Sequence, residues 1–281
     1  MNYQELWHQL RPLYGEGEAK AMARLVYEVR YGLTLSDICI GKDTQLSADN
    51  QAELAEILQR LLRHEPIQYV LGIADFCGHQ FAVCPSVLIP RPETEELCRW
   101  IIETTHQGKA ANILDIGTGS GCIAITLASA MPDATITAWD ISAEALQVAE
   151  ENAQRNNVHI SFQQVDVLNI SPSALPLPFT LTCIASNPPY ILNKERASME
   201  ANVLEHEPHT ALFVPDNDPL LFYRAIAQLG QKALKPDGWL YFEINPLCAN
   251  DLMQLLSKMS YHDIEIKKDQ YGKQRMIRAQ R

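Results

Sequence analysis

Apolar side chains in the first 70 residues recur at three- and four-residue spacing. From Asn50 to His64, Leu54, Ile57, Leu58, Leu61 and Leu62 share one helical face. Ser47 supplies an N-cap upstream, and Pro66 follows the end of the segment. Leu6, Leu10 and Leu13 predict an earlier helix, and Ala21, Leu25, Tyr27, Glu28 and Val29 predict another. No strand pattern interrupts them, so residues 1–72 read as a small helical domain. The texture changes from Glu65 to Pro92, where Gly72, Gly78, Pro85, Pro90 and Pro92 punctuate β-branched and aromatic residues. Gly78-His79, between IADFC and QFAVC, predicts a hairpin, and residues 73–92 read as a β-hairpin linker.

Strands and helices alternate over residues 93–281. Strand-like runs are Asn112–Ile116, Ala134–Trp139, His159–Val165, Thr180–Ser186 and Trp239–Ile244. Helical patterns cover Thr94–His106, Cys122–Ala130, Ala143–Asn156 and Leu220–Leu234. Alternation of this kind predicts an α/β domain with a mainly parallel sheet. At the end, His262–Lys268 and Gln274–Ala279 are strand-like and joined by a DQYG turn. So short a link demands an antiparallel hairpin.

Composition narrows the class. The 281 residues are 47% hydrophobic and 20% charged, which suits one large or two smaller globular domains rather than a disordered chain. A net charge of −11 argues against a protein that binds nucleic acid mainly through its overall charge. Seven scattered cysteines without a C-x-x-C pair predict reduced thiols and a cytoplasmic protein, with neither a disulfide framework nor a zinc site. The N-terminal MNYQELWHQLRPLY lacks the apolar stretch of a signal peptide, and no apolar run is long enough to span a bilayer.

The first chemical signal is Ile113-Leu114-Asp115-Ile116-Gly117-Thr118-Gly119-Ser120-Gly121, a strand running through alternate glycines into a helix. Glycines let backbone turn tightly against a ligand, and the helix start offers unpaired N–H groups. Asp140 follows 23 residues after Gly117, at the end of the next strand, where a carboxylate can accept ribose hydroxyls. Asp166 ends the third strand, where a carboxylate can meet an adenine amino group. A nicotinamide dinucleotide and S-adenosyl-L-methionine both fit this layout. The spacing is G-x-G-x-G with Cys122 next, not G-x-G-x-x-G, and the loop lies well inside the chain, which favours S-adenosyl-L-methionine.

The second signal follows the fourth strand: Asn187-Pro188-Pro189-Tyr190. At a strand's C-terminal end this segment faces the reactive end of a bound ligand. The Asn187 side-chain oxygen and the Pro188 carbonyl can each accept one hydrogen of an NH2 group. The prolines stiffen the backbone, and the Tyr190 ring can pack on a planar substrate. This chemistry suits an amide or an exocyclic amine.

NPPY together with LDIGTGSGCIAI resembles class I S-adenosylmethionine-dependent methyltransferases acting on planar nitrogens. Glu65–Gly72 (EPIQYVLG), Val87–Glu95 (VLIPRPETE) and the NPPYI context narrow the resemblance to the HemK/PrmC family. Its members are N5-glutamine methyltransferases acting on the Gly-Gly-Gln loop of peptide chain release factors. The resemblance implies a Rossmann-like catalytic domain behind a helical domain that docks the substrate protein. It implies that Gly117, Thr118, Gly119, Ser120 and Gly121 line the methionine part of the cofactor, that Asp140 holds the ribose, and that Asp166 and Val167 flank the adenine. Asn187, Pro188, Pro189 and Tyr190 grip the glutamine, with Arg91, Pro92 and Glu93 beside the same pocket. The implied enzyme is a monomer that needs no nucleic acid. Val167 stands where many relatives carry an aromatic residue, and Ala211–Leu220 replaces a Gly-rich segment before Tyr223-Arg224 resumes the pattern. A nucleic-acid base amino methyltransferase is the competing reading, since NPPY serves there too.

Other signals read as structural. His206-Glu207-Pro208-His209 lacks a third metal ligand, and Pro208 prevents a regular helical zinc motif. Glu95 and Glu96 read as solvated first-turn residues, Cys122 and Cys183 as core, and the Lys/Arg-rich C-terminus as a solvated hairpin face.

Overall fold

A computed structural model describes residues 1–105, 111–170 and 180–281. Two compact units emerge: Met1–Ile73 with Glu200–His206, and Ala74–Met199 with Glu207–Arg281. The first unit contains α1 (Tyr3–Tyr31), α2 (Leu35–Cys39), α3 (Ala48–Leu61) and α4 (Ile67–Leu71). Asn2 and Glu5 form a capping box at the start of α1, and the helix is broken at Gly15, where φ is 73°. The two N-terminal helical patterns are therefore the two halves of α1. Ser47 caps α3 as expected, its hydroxyl accepting the Asn50 N–H at 3.2 Å.

The buried stripe of the second half of α1 differs from the expected one. Ala19, Met22, Ala23, Val26 and Tyr27 pack on Leu54, Leu58 and Leu61. Leu13 is 43% exposed, while Leu25 and Val29 are half-buried. Counting back from Val26 and Tyr27 at three and four residues gives this stripe and leaves Leu25 on its flank.

From its first residue, Ala74, the second unit carries the hairpin of β1 (Ile73–Phe76) and β2 (His79–Ala82). Its turn falls at Cys77-Gly78, one residue earlier than expected, with φ of 49° and 77°. Two consecutive positive φ angles match the twist of a tight hairpin. Next come α5 (Pro92–Thr105), β3 (Asn112–Ile116), α6 (Cys122–Ala130), β4 (Thr135–Asp140), α7 (Ala143–Arg155), β5 (Ser161–Gln164) and β6 (Leu181–Ser186). His106, expected to end the helix that is observed as α5, lies outside the described residues. A short β7 (Ile191–Leu192) precedes α8 (Ala201–His206), which belongs to the first unit, then α9 (His209–Leu212) and β8 (Phe213–Val214). The chain ends with α10 (Leu221–Ala233), β9 (Leu234–Glu243), α11 (Ala249–Lys258), β10 (His262–Lys268) and β11 (Gln274–Gln280).

The seven-stranded sheet has the order β10-β11-β9-β6-β3-β4-β5. β5, β4, β3, β6 and β9 run parallel, and β11 and β10 pair antiparallel at one end, as expected from the short DQYG link. From β3 the chain winds outward through β4 and β5, then returns to β6 on the other side of β3. That reversal opens a crevice at the C-terminal ends of β3, β4 and β6. Leu114, Ile116, Ile184, Leu240 and Phe242 form the buried middle of the sheet, with Ile226 and Leu252 packed over it. The sequence pattern had not indicated α11, which buries Ala249, Leu252 and Leu256.

Candidate active site

The glycine loop leaves β3 with φ of 73° at Gly117, 55° at Gly119 and 82° at Gly121. These are left-handed conformations that favour glycine. The loop spends some of its donors internally. Gly117 and Thr118 both donate to the Trp139 carbonyl, at 2.8 and 3.0 Å. Gly119 N–H donates to Asp140 Oδ2 at 2.8 Å, and Ser142 N–H donates to Asp140 Oδ1 at 3.0 Å. Asp140 is thus oriented by two backbone donors while each oxygen keeps a lone pair for a further hydroxyl. The space beside Gly117 and Gly119 is open.

Gly121 plays a different part from the one expected. It does not border the cavity. A Cβ there would stand 3.0 Å from Ile125 Cδ1 and 3.2 Å from the Ala149 Cβ, so the missing side chain lets α6 and α7 approach. Behind the loop lies Asp115, fully buried, which accepts the Thr118 hydroxyl at 2.6 Å. Burial pushes its carboxyl up to about 7 against the opposing effect of the Thr118 hydrogen bond. Asn152, also buried, brackets Ala82 through both its N–H and C=O (2.6 and 3.0 Å) and donates to the Ser120 carbonyl at 2.9 Å. One side chain of α7 thereby ties β2 to the glycine loop.

A cavity of about 410 Å³ lies over the sheet's C-terminal ends. Gly117, Thr118, Gly119, Ser120, Asp140, Asp166, Val167, Asn187, Pro188, Pro189 and Arg91 border it. Ile141, 58% exposed, and Leu168, 40% exposed, add apolar surface at the Asp140 and Asp166 end. Asp166 is used by its own turn: Oδ1 accepts the Leu168 N–H at 2.9 Å, and Oδ2 accepts from the Asn169 amide.

At the other end, Asn187 Nδ2 donates to Thr94 Oγ1 at 3.2 Å, and that hydroxyl donates to Glu243 Oε2 at 2.6 Å. The Tyr190 hydroxyl donates to Glu243 Oε1 at 2.9 Å. Thr94 and Glu243 are 2% and 1% exposed. Burial raises the Glu243 carboxyl, opposed by these two hydroxyls and by the Arg275 charge. Burial raises the Tyr190 phenol too, and the nearby Glu243 reinforces it, so its hydroxyl stays a donor. The Tyr190 ring packs against the core instead of bordering the cavity, a correction to the planar-stacking role expected of it.

Pro92 and Glu93 also lie off the cavity wall. Pro92 starts α5, and the helical turn of about 100° per residue aims Thr94, not Glu93, at Asn187. Glu95 and Glu96 are not simply solvated. Glu95 accepts the Cys77 N–H at 2.8 Å and Glu96 the Gln270 N–H at 3.0 Å, fixing two turns against α5. Glu207, read as part of a loop, is buried; it pairs with Arg91 and accepts the Ile89 N–H at 3.2 Å. It holds the strip before α5 in place as a cavity wall. Thr94, Asp115, Asn152, Glu207 and Glu243 were not singled out as site residues in the sequence. The usable signal was a polar residue at an otherwise apolar strand end, as in LDIG and YFEIN.

Among the described residues, no cluster of three or more His, Cys, Asp or Glu is placed to hold a metal ion, and no helix is long and apolar enough to cross a membrane.

Residues 5–72 match the PrmC N-terminal domain, and residues 96–211 match the Methyltransferase small domain. The release factor glutamine methyltransferase of Bacteroides thetaiotaomicron is 47% identical over 275 residues, covering 97% of this chain and 96% of that protein. That of Flavobacterium psychrophilum is 41% identical over 282 residues, covering 99% and 98%. A solved methyltransferase from Pyrococcus furiosus shares the fold with a TM-score of 0.51 at 16% identity, over 83% of this chain and 98% of that one. With identity of this order over almost its whole length, the chain belongs to the release factor glutamine methyltransferase family.

Proposed function

We propose that this protein transfers a methyl group from S-adenosyl-L-methionine to the side-chain amide nitrogen of the glutamine in the Gly-Gly-Gln loop of peptide chain release factors. The observation that carries this reading is Asn187. It borders the same cavity as the glycine loop and Asp140, and its Oδ1 has no partner among the described residues.

The residues present fit S-adenosyl-L-methionine. Open space beside Gly117 and Gly119 admits the methionine part, Asp140 has lone pairs for ribose hydroxyls, and Ile141, Val167 and Leu168 offer apolar surface to a purine. When bound, the cofactor supplies an electrophilic methyl carbon on its sulfonium. The chain supplies positioning. A carboxamide nitrogen is a poor nucleophile because its lone pair is delocalised. Asn187 Oδ1 and the Pro188 carbonyl accept its two N–H bonds and orient the nitrogen. Orientation of this kind contributes up to about 7–11 kcal/mol in favourable intramolecular models. No side chain at the site is needed as a strong base, because the proton can leave to water once the nitrogen is methylated. Gly117, Thr118, Gly119, Ser120 and Asp140 are the cofactor side of this assignment, with Asp166 and Val167 at its adenine end. Asn187, Pro188, Pro189 and Arg91 are the substrate side.

The free cysteines and the charge of −11 support an enzyme of a reducing cytoplasm that recognises a protein rather than nucleic acid; we propose that it works as a monomer. Incubation with labelled S-adenosyl-L-methionine and a purified release factor tests the reading. Label is expected on the native factor and not on one whose loop glutamine is changed to alanine. Transfer to DNA or RNA instead of the factor overturns it.

A further inference from the structure

Thr94 has a single hydroxyl proton and two polar neighbours within reach, Glu243 and Asn187. Glu243 Oε2 lies 2.6 Å from Thr94 Oγ1, and Asn187 Nδ2 lies 3.2 Å from the same atom. Both carboxylate oxygens of Glu243 accept hydroxyls, from Thr94 and from Tyr190, and Arg275 adds a positive field. With both oxygens already receiving hydroxyl hydrogens, Glu243 serves here as an acceptor only. Thr94 must then donate to Glu243, which leaves its lone pairs to accept from Asn187. The Asn187 amide is thereby forced to turn its NH2 toward Thr94 and its oxygen toward the cavity.

The geometry points to Glu243 as a positioning residue that sets the hydrogen-bond polarity of Asn187, through Thr94, and so selects a primary amide over a carboxylate as the group bound beside it. The inference rests on the assignment of a glutamine amide as acceptor. Glutamine and glutamate side chains have nearly the same shape, so the site must tell them apart by what each can donate. An Asn187 presenting Oδ1 accepts from an NH2 group and repels a carboxylate. An Asn187 presenting Nδ2 does the opposite. A glutamine would fill the same space, so what distinguishes Glu243 is that it presents oxygen acceptors to Thr94 and Tyr190 at once, where an amide has only one. Glu243→Gln supplies one donor and one acceptor. The direction of the Thr94 hydroxyl is then no longer enforced, and both orientations of Asn187 become available.

The test compares binding of two short peptides, one with Gly-Gly-Gln and one with Gly-Gly-Glu, to the full-length protein by calorimetry. Wild type is expected to prefer the glutamine peptide by about tenfold or more, the scale of one mispaired hydrogen bond to a charged group. E243Q and T94V are expected to bring the ratio to within about threefold, and T94S, which keeps the hydroxyl, to restore it. A merely structural role for Glu243 weakens both peptides alike, so an unchanged ratio in E243Q overturns the inference. If E243Q does not fold, the T94V and T94S pair decides the matter by the same ratio. A wild-type protein that methylates the glutamine peptide while E243Q keeps its discrimination overturns this inference alone. A wild-type protein that neither prefers nor methylates that peptide overturns the functional reading, and this inference with it.

Discussion

Two aspartates near the glycine loop have opposite surroundings. Asp140 accepts two backbone N–H groups at the cavity edge, whereas Asp115 is buried with the Thr118 hydroxyl. Asp140→Ala is expected to weaken S-adenosyl-L-methionine binding by about 1–3 kcal/mol, the scale of hydrogen bonds to a charged group. Asn187→Ala is expected to abolish most turnover while leaving that dissociation constant unchanged. Calorimetry paired with turnover rates checks both, and a loss of cofactor affinity in Asn187→Ala contradicts the assignment. Asp115 affects stability. Its carboxyl holds its proton to about 7 in the folded chain against 3.8 for the free group. The folded state therefore binds more protons across that window, and stability falls as pH rises through it. The effect is up to about 4 kcal/mol. Asp115→Asn should flatten the fall of Tm between about pH 4 and pH 7, measured without cofactor. Parallel Tm profiles for the two proteins contradict this account.

At the scale of elements, the site depends on side chains that clamp one element to another. Asn152 of α7 holds both backbone groups of Ala82 and the Ser120 carbonyl. Asn152→Ala removes the partner of these part-buried and buried groups, at a cost of about 2–4 kcal/mol. Its expected signature is a lower Tm together with weaker cofactor binding, because the glycine loop loses its brace. A Tm within error of wild type contradicts the clamp. Elements were largely legible in the sequence where the pattern was local. The glycine loop, the hairpin, the parallel strands and the terminal antiparallel pair follow from spacing and turn residues. α11 escaped because its ten residues carry a short stripe of Ala249, Leu252 and Leu256 just after Pro246. The network behind Asn187 escaped for another reason. Thr94 and Glu243 stand 149 residues apart and meet only once α5 packs beside the end of β9. Gly121 illustrates the same limit. Its place in the motif suggested a ligand contact, but its neighbours Ile125 and Ala149 belong to two helices.

For the whole molecule, the question is how an electronegative protein methylates a poor nucleophile. On the proposed reading, the catalytic unit answers with fixed acceptors rather than a base. Asn187 and Pro188 follow β6, Asp140 ends β4, and the glycine loop follows β3, so one crevice collects all three. Polar contacts beneath them, Thr94 with Glu243 and Arg91 with Glu207, hold the walls from within the same unit. The most direct measurement is peptide mapping by mass spectrometry of a release factor after incubation with this protein and S-adenosyl-L-methionine. The account predicts one added methyl group, located on the side-chain amide of the Gly-Gly-Gln glutamine and missing when Asn187→Ala replaces wild type. A methyl group on any other residue, or an unmodified factor after complete incubation with folded enzyme, contradicts it.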